Sequence, residues 1–136
     1  MNIAFFLTPK REILYETEDA TMEQILDKME FNTYTALPLI DNNGKYIGAI
    51  TEGDLLWKLK NTPGLTIADT PFISIRDIDR HTPSKTVSIN SNIEDLIELA
   101  KSQNFIPVED DEGIFIGIIK RSDIINYCSK LLLKCK

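Results

Sequence analysis

LPLIDNNGKYIGAITEGDLL at residues 37–56 and IPVEDDEGIFIGIIKRSDII at residues 106–125 are the two stretches that decide the fold of this 136-residue chain. A single offset of 69 positions superposes them without a gap, and seven of the 17 positions from 38 to 54 are identical. Ordinary residue frequencies would give about one identity in such a span. The identical pairs are Pro38/Pro107, Asp41/Asp110, Gly44/Gly113, Ile47/Ile116, Gly48/Gly117, Ile50/Ile119 and Asp54/Asp123. The chain is therefore an internal duplication, which predicts two copies of one structural unit.

The first copy has the pattern of a helix, a β-hairpin and a second helix. Apolar side chains recur at helical spacing from Met22 to Met29, and Thr21 precedes them as a candidate N-cap. We expect strands over residues 35–40 and 46–50, joined by turn residues 42–44, and then a helix that opens at Thr51 and runs through Lys60.

The second copy repeats this order. We expect a helix from Ile93 capped by Ser91 or Asn92, strands over 104–108 and 114–119, and a final helix from Ser122 to Lys134. Residues 65–78 are predicted to form a helix and a strand that lead into this copy, as residues 3–9 lead into the first. The predicted fold is thus α/β (α+β), with two tandem βαββα repeats at residues 1–62 and 63–136 related by a pseudo-two-fold axis.

Composition and charge argue against several classes of function. The net charge of −6 disfavours a nucleic-acid binder, and no apolar run approaches the roughly 20 residues of a spanning helix. Residues 1–9 lack a signal-peptide pattern, so we expect a cytoplasmic protein. Cys128 and Cys135 have neither a CxxC spacing nor a histidine cluster and are predicted to be reduced thiols. His81, the single histidine, has no nucleophile or metal-ligand pattern around it and is expected to be exposed, so we predict no enzymatic activity.

The string Gly48-Ala49-Ile50-Thr51-Glu52-Gly53-Asp54 is the strongest candidate for a site. A strand ends here, a hydroxyl follows, and a carboxylate occupies the first turn of a helix. The free N–H groups of such a turn attract phosphate, Asp54 can accept hydrogen bonds from ribose hydroxyls, and Thr51 can donate to a phosphate or sugar oxygen. The same residues also form an ordinary capping sequence, so both interpretations stay open.

The second copy carries a changed version of this string. Lys120 stands at the hydroxyl position, followed by Arg121, Ser122 and Asp123. Lys120 and Arg121 either neutralise a phosphate, with Arg121 able to bond two oxygens, or form a solvated strand end. Ser122 is a second source of a hydroxyl. The two candidate sites are therefore predicted to be unequal.

The run of apolar-Pro-apolar, Asp, Gly and Gly-x-Ile-Thr-x-x-Asp resembles the cystathionine-β-synthase (CBS) domain, and two in tandem resemble a Bateman module. The resemblance covers the chain from about Ile3 to the helix after Asp123. It implies a regulatory, non-catalytic homodimer that signals to an effector protein. It also implies an adenine-containing ligand in clefts between the two repeats: AMP, ADP, ATP, cyclic di-AMP or S-adenosylmethionine. No cofactor, nucleic acid or membrane span is implied.

The resemblance also assigns further ligand-binding positions. Those that face adenine through backbone groups are Leu14, Tyr15, Lys85, Thr86 and Val87. Those ahead of the two prolines are Thr35, Ala36, Asn104, Phe105 and Ile106. Many nucleotide-binding relatives carry Arg or His at the position of Ala36 or Phe105, and its absence here argues against a triphosphate. Phe105 either stacks on a base or belongs to the core. The alternative to a nucleotide sensor is a dimeric scaffold with degenerate, ligand-free pockets, in which Asp54 and Asp123 only cap helices.

Overall fold

A β-hairpin flanked by two helices occurs twice along the chain, as the repeat predicts. A computed structural model describes residues 2–81 and 84–134. In chain order the strands and α-helices are β1 (Thr8–Pro9), β2 (Glu16–Thr17), α1 (Met22–Asn32), β3 (Ala36–Ile40), β4 (Tyr46–Thr51), α2 (Glu52–Asn61), β5 (Val87–Ser88), α3 (Ile93–Ala100), β6 (Phe105–Glu109), β7 (Phe115–Lys120) and α4 (Arg121–Lys134). The four predicted hairpin strands and four helices are confirmed, and their ends differ from the prediction by about a residue, except that α1 continues three residues beyond Met29.

The chain folds into two compact units that divide it in an unexpected way. We call Leu14–Pro83 the central unit, and Met1–Ile13 together with Ser84–Lys136 the terminal unit. In the central unit the sheet order is β2–β3–β4, with β2 parallel and β4 antiparallel to β3. In the terminal unit the order is β1–β7–β6–β5, in which β5 is parallel to β6 and β1 is antiparallel to β7. The first 13 residues therefore pack with the second sequence copy.

Side-chain caps explain where three of the helices begin. Thr21 caps α1 and Asn92 caps α3, each in a reciprocal pair with the residue three positions on. Thr51 caps α2 in the same way. Each pair satisfies two N–H groups that have no partner inside the helix. The fourth helix cannot copy this arrangement, because Lys120 stands at the cap position and a lysine side chain has no acceptor.

Each hairpin turn is held by one aspartate. Asp41 Oδ1 accepts hydrogen bonds from the backbone N–H groups of Asn43 and Lys45, at 2.8 and 2.9 Å. Asp110 repeats the pattern in the second copy. Gly44 follows at φ 83°, a left-handed conformation that residues with a Cβ seldom adopt. The aspartate hydrogen bonds and the glycine conformation give a physical reason for two of the seven identities, Asp41/Asp110 and Gly44/Gly113.

The segments that precede each copy form the core with the other copy's hairpin and helices. Ile75 and Ile78 are buried in the core of the central unit, and Ile3 and Phe6 in that of the terminal unit. Of the helix and strand predicted over residues 65–78, the helix is of the 3-10 kind, and an isolated bridge takes the place of the strand. This segment forms two 3-10 turns, Ile67–Phe72 and Ile75–Asp77, with one isolated bridge to α1's N-cap. The division predicted at residue 62 follows the sequence repeat and stays a prediction.

Candidate functional site

Asp54 is the most buried charged group described in the chain, and its carboxylate is fully engaged. Its side chain is 1% exposed. Oδ2 accepts from the Thr51 backbone N–H at 2.9 Å, while Thr51 Oγ1 accepts from the Asp54 N–H at 3.2 Å. Oδ1 accepts from the His81 N–H at 2.9 Å. The two predicted residues Thr51 and Asp54 are thus brought together, in the geometry of a helix cap.

His81 closes this arrangement and was not predicted to take part. Its side chain is half-exposed, but Nδ1 lies 3.0 Å from Asp54 Oδ1. Lys58 lies nearby on α2 and donates from Nζ to the Asp77 carbonyl at 3.0 Å. The two contacts tie the segment at residues 77–81 to α2. No local sequence pattern signals them, because each joins residues 19 or more positions apart.

Asp123 has the equivalent position on α4 but different surroundings. It is half-buried, and among residues 2–81 and 84–134 its carboxylate has no hydrogen-bond or ion-pair partner. Lys120 cannot form the box that Thr51 forms with Asp54, because it lacks an acceptor oxygen. Among the described residues, Asp123 therefore lacks the hydrogen bonds that engage the carboxylate of Asp54.

The two aspartates line cavities that correspond under the 69-residue offset. The central-unit cavity measures about 160 Å³ and the terminal-unit cavity about 570 Å³. The corresponding lining residues are Asp54/Asp123, Trp57/Asn126, Lys58/Tyr127, Asn61/Lys130 and Thr62/Leu131. Both cavities lie along one face of the helix that follows the hairpin. The two copies thus have a cavity at the same position in the fold, but different residues line it.

Charge separates the two cavities as much as size does. The central-unit cavity is lined by three carboxylates and one lysine, with His81 beside them: Asp54, Asp77, Asp79 and Lys58. In the terminal unit, Lys130 and Lys134 line the cavity together with a single carboxylate, that of Asp123, and residues 5–8 form a mainly apolar wall. Helical spacing from Asp123 carries the signal that would have found Asn126, Tyr127 and Lys130, since residues three, four and seven positions on share its face.

A comparison with protein families gives this geometry a context. The family model described as the CBS domain matches residues 6–61 and 75–130. The chain belongs to the CBS-domain family. It is similar to a CBS domain-containing protein of Dictyostelium discoideum, with 30% identity over 129 residues, covering 84% of this chain and 83% of that protein.

Solved structures of CBS-domain proteins share the fold. One is CBSX2 in complex with AMP, with a TM-score of 0.73, 23% identity, and coverage of 96% of this chain and 97% of that one. Another is CbpB of Listeria monocytogenes in complex with cyclic di-AMP, with a TM-score of 0.78, 16% identity, and coverage of 97% and 98%. At these identities the likeness establishes a tandem CBS fold.

The cations predicted for the second CBS repeat are spread over different surroundings. Lys120 and Ser122 are exposed, whereas Arg121 is half-buried. Arg121 Nε donates to the Gln103 carbonyl at 3.0 Å, so part of its guanidinium is used within the fold. The lysines that line the cavity beside Asp123 come instead from farther along α4, at Lys130 and Lys134.

Gln103 is a second residue that the sequence did not reveal. Its side chain is 5% exposed, and it pairs with both backbone groups of Lys85: Oε1 accepts from N–H at 2.8 Å and Nε2 donates to the carbonyl at 3.0 Å. Nε2 also lies 3.3 Å from the Phe105 carbonyl, to which it donates. The Lys85 backbone, predicted to face adenine, is therefore already engaged by a side chain.

The other predicted positions differ in how accessible they are. Val87 and Ile106 are buried in the core of the terminal unit, whereas Thr86 and Phe105 are half-buried. Asn104 is exposed. In the first CBS repeat, Leu14 packs against the core of the central unit, and the Tyr15 carbonyl accepts from Lys28 Nζ at 2.9 Å. Thr35 is exposed and Ala36 half-buried at the start of β3. Their ligand roles stay predictions.

The described residues also bear on membrane and metal binding. Within residues 2–81 and 84–134, no helix has both the length and the apolar character needed to cross a membrane. The same residues contain no cluster of three or more His, Cys, Asp or Glu side chains able to hold a metal ion. Cys128 is a free thiol, as predicted, and Cys135 lies outside the described residues.

Proposed function

We propose that this chain is a non-catalytic regulatory module that binds an adenine nucleotide of the AMP, ADP, ATP or cyclic di-AMP class. Membership of the CBS-domain family supports the proposal, as do the AMP and cyclic di-AMP complexes of proteins with the same fold. The observation that carries it is Asp123, a half-buried carboxylate without a described partner that lines a cavity of about 570 Å³. Cytoplasmic location stays a prediction from composition.

The chemistry around Asp123 suits such a ligand. Cavities of roughly 300–1,000 Å³ hold small organic ligands, and this one lies within that range. An ionised carboxylate accepts strong hydrogen bonds from the two hydroxyls of a ribose. Lys130 and Lys134 offer charge-assisted donors to phosphate, and Phe5 and Phe6 offer apolar surface to a base.

A thermal titration tests the proposal. The protein is mixed with AMP, ATP or cyclic di-AMP, and its melting temperature is followed by scanning fluorimetry. A ligand that binds only the folded state stabilises it by about 2.7 kcal/mol at 100 times its Kd, so at least one nucleotide is expected to raise the melting temperature by several degrees. No shift with any of the three at millimolar concentration would overturn the proposal.

Signalling is proposed to act through the chain's association with other proteins. A nucleotide that binds one conformation better than another shifts the population of conformations in proportion to that difference in affinity. We propose a homodimer as the unit that responds and an effector protein as its target. Exposed apolar side chains on α3 and α4 support an interface: Ile97, Ile125 and Leu132 are 41%, 56% and 69% exposed and line one groove.

The oligomeric state tests this part. Ile125→Glu places a charge in the groove, and sedimentation equilibrium is expected to show a dimer for the unaltered chain and a monomer for the variant. Lys45→Glu, which alters an exposed turn of the central unit, serves as the control and is expected to leave the dimer intact. A monomer for the unaltered chain at every concentration would rule out the homodimer.

A ligand-free interaction scaffold is the second candidate, and the geometry of Asp54 favours it. That carboxylate is used in full by Thr51 and His81, as expected for a residue that only caps a helix. Asp123→Ala separates the two functions. The sensor loses nucleotide binding while it still folds, whereas the scaffold shows no nucleotide effect before or after the substitution.

A further inference from the structure

We propose that one nucleotide binds per chain, in the terminal-unit cavity, with its phosphate held by Lys130 and Lys134, and that the central-unit cavity does not bind it. This inference rests on the proposed function and assigns its site. The cavity lies within one compact unit, but its walls come from both sequence copies, since residues 5–8 belong to the first copy and α4 to the second. A ligand there bridges the two CBS repeats through residues of a single unit.

The two lysines form a site for an anion. They lie four residues apart on one face of α4, where like charges repel each other. Among the described residues neither has a carboxylate partner. An anion placed between them relieves the repulsion and gains two charge-assisted hydrogen bonds. Lys120 and Arg121, the cations expected from the sequence, do not line this cavity.

The spacing along α4 matches a nucleotide that spans from ribose to phosphate. Asp123 and Lys130 are seven residues apart, which is a rise of about 10 Å along the helix. A lysine side chain is long and flexible, and Lys130 lines the same cavity as Asp123. Sugar hydroxyls on Asp123 and a phosphate on the lysines thus fit one ligand.

Aromatic side chains from residues 5–6 and from α4 line another part of the cavity. Phe6 packs edge-on against Tyr127 with ring centroids 5.2 Å apart, and Phe5 packs edge-on against Phe6 at 5.6 Å. Phe5 is 80% exposed beside the cavity. An exposed ring held in place by a second ring presents a face on which a base stacks.

The corresponding central-unit cavity differs in size, in charge and in the hydrogen bonding of its aspartate. Its volume of about 160 Å³ is below the size typical of small-molecule sites. Asp77 and Asp79 add negative charge that repels phosphate. Asn61 stands where Lys130 stands in the other copy, and the Asp54 carboxylate is already saturated. Occupancy of one cavity follows from these differences.

Isothermal titration calorimetry of the full chain tests the inference. The probe is AMP or cyclic di-AMP, whichever raises the melting temperature more, and adenosine is the companion that lacks phosphate. We expect one ligand per chain. Lys130→Gln/Lys134→Gln is expected to weaken phosphate-bearing ligands by at least about tenfold and adenosine by less than about twofold, and Asp123→Asn is expected to weaken both.

Lys45→Gln/Lys60→Gln is the matched control, because it removes the same charge from exposed positions outside the cavity and is expected to leave affinity within about twofold. A nucleotide affinity that the Lys130/Lys134 variant leaves unchanged, or two ligands of equal affinity per chain, would overturn the inference and leave the proposed function standing. If the unaltered chain binds none of the nucleotides, the proposed function itself is wrong.

Discussion

The cavities beside α2 and α4 occupy equivalent places in the repeat, but the first is closed from within and the second is open. Asp54 is saturated by the Thr51 N–H and by His81, whereas Asp123 has no described partner. The difference has two sources. Lys120 stands in place of the capping hydroxyl, and the cavity lining outside the helix changes from Asp77, Asp79 and His81 to the mainly apolar residues 5–8.

This contrast shows how a duplicated fold can place the same aspartate in two different environments. The backbone positions that place an aspartate on the first helical turn are the same in both copies. Whether that carboxylate stabilises the fold or remains free for a ligand is decided by its neighbours, which satisfy it in one copy and leave it open in the other. Four pairs of substitutions at corresponding or neighbouring positions test the contrast.

Gly117→Ala is expected to have the largest effect, because the corresponding glycines face different neighbours. Gly117 has φ 157°, and an added Cβ would lie 2.3 Å from the Thr8 carbonyl oxygen. Thr8 belongs to β1, whose backbone is paired with β7, the strand that contains Gly117. At Gly48, with φ 145°, the Cβ would meet the Arg80 side chain at 2.9 Å, which can move. We expect losses of more than about 3 kcal/mol for Gly117→Ala and about 1–2 kcal/mol for Gly48→Ala in urea unfolding. Equal losses would show that β1 shifts as easily as a side chain.

Asp54→Ala and Asp123→Ala come next. The first removes a cap and leaves the Thr51 and His81 N–H groups without their acceptor, so we expect a loss of about 2–3 kcal/mol. The second removes a carboxylate without a described partner, and we expect less than about 0.5 kcal/mol. Chemical denaturation without ligand measures both losses. A loss at Asp123 as large as that at Asp54 would contradict the view that its carboxylate is free.

The duplication made most of the fold predictable from the sequence. Helical spacing and the capping residue Thr21 locate α1, and the aligned turns place both hairpins to within about a residue. These features are local, so a pattern in the sequence suffices to find them. The strand predicted within residues 65–78 did not form, and Ile75 and Ile78 are buried in the core of the central unit within and beside a 3-10 helix instead.

The candidate site was less predictable, for a physical reason. Thr51, Asp54 and Asp123 belong to a local motif and were found. His81 and Gln103 act through hydrogen bonds to residues 27 and 18 positions away, which the sequence does not signal. The wall at residues 5–8 reaches α4 only because the chain start packs with the second copy. The sequence motif pointed to Lys120 and Arg121, but the fold places Lys130 and Lys134 beside the cavity instead.

Gln103→Ala tests the side-chain hydrogen bonds that Gln103 makes to the backbone of Lys85 and of Phe105, the first residue of β6. The substitution leaves the Lys85 N–H and two carbonyl groups without their side-chain partner, so we expect a loss of about 1–2 kcal/mol. Ser102→Ala, at the exposed neighbouring position, is the control and is expected to cost less than about 0.5 kcal/mol. Faster amide exchange at Lys85 in the Gln103 variant would locate the effect. Unchanged exchange there would show that the Lys85 N–H does not depend on Gln103 for its protection.

Lys120→Thr is expected to have the smallest effect and bears most directly on the contrast between the cavities. It gives the second copy the Thr-x-x-Asp pattern of the first. Lys120 pairs with Phe105 as Thr51 pairs with Ala36, so a threonine there lies in the same register and can cap α4. We expect a gain of about 0.5–1 kcal/mol, with Thr51→Ala costing a similar amount in the central unit. Because the new cap draws Asp123 into a bond with the backbone, nucleotide affinity is expected to fall as stability rises. A variant that gains stability and keeps its affinity would show that Asp123 serves both roles at once, and that the open carboxylate is not what distinguishes the two copies.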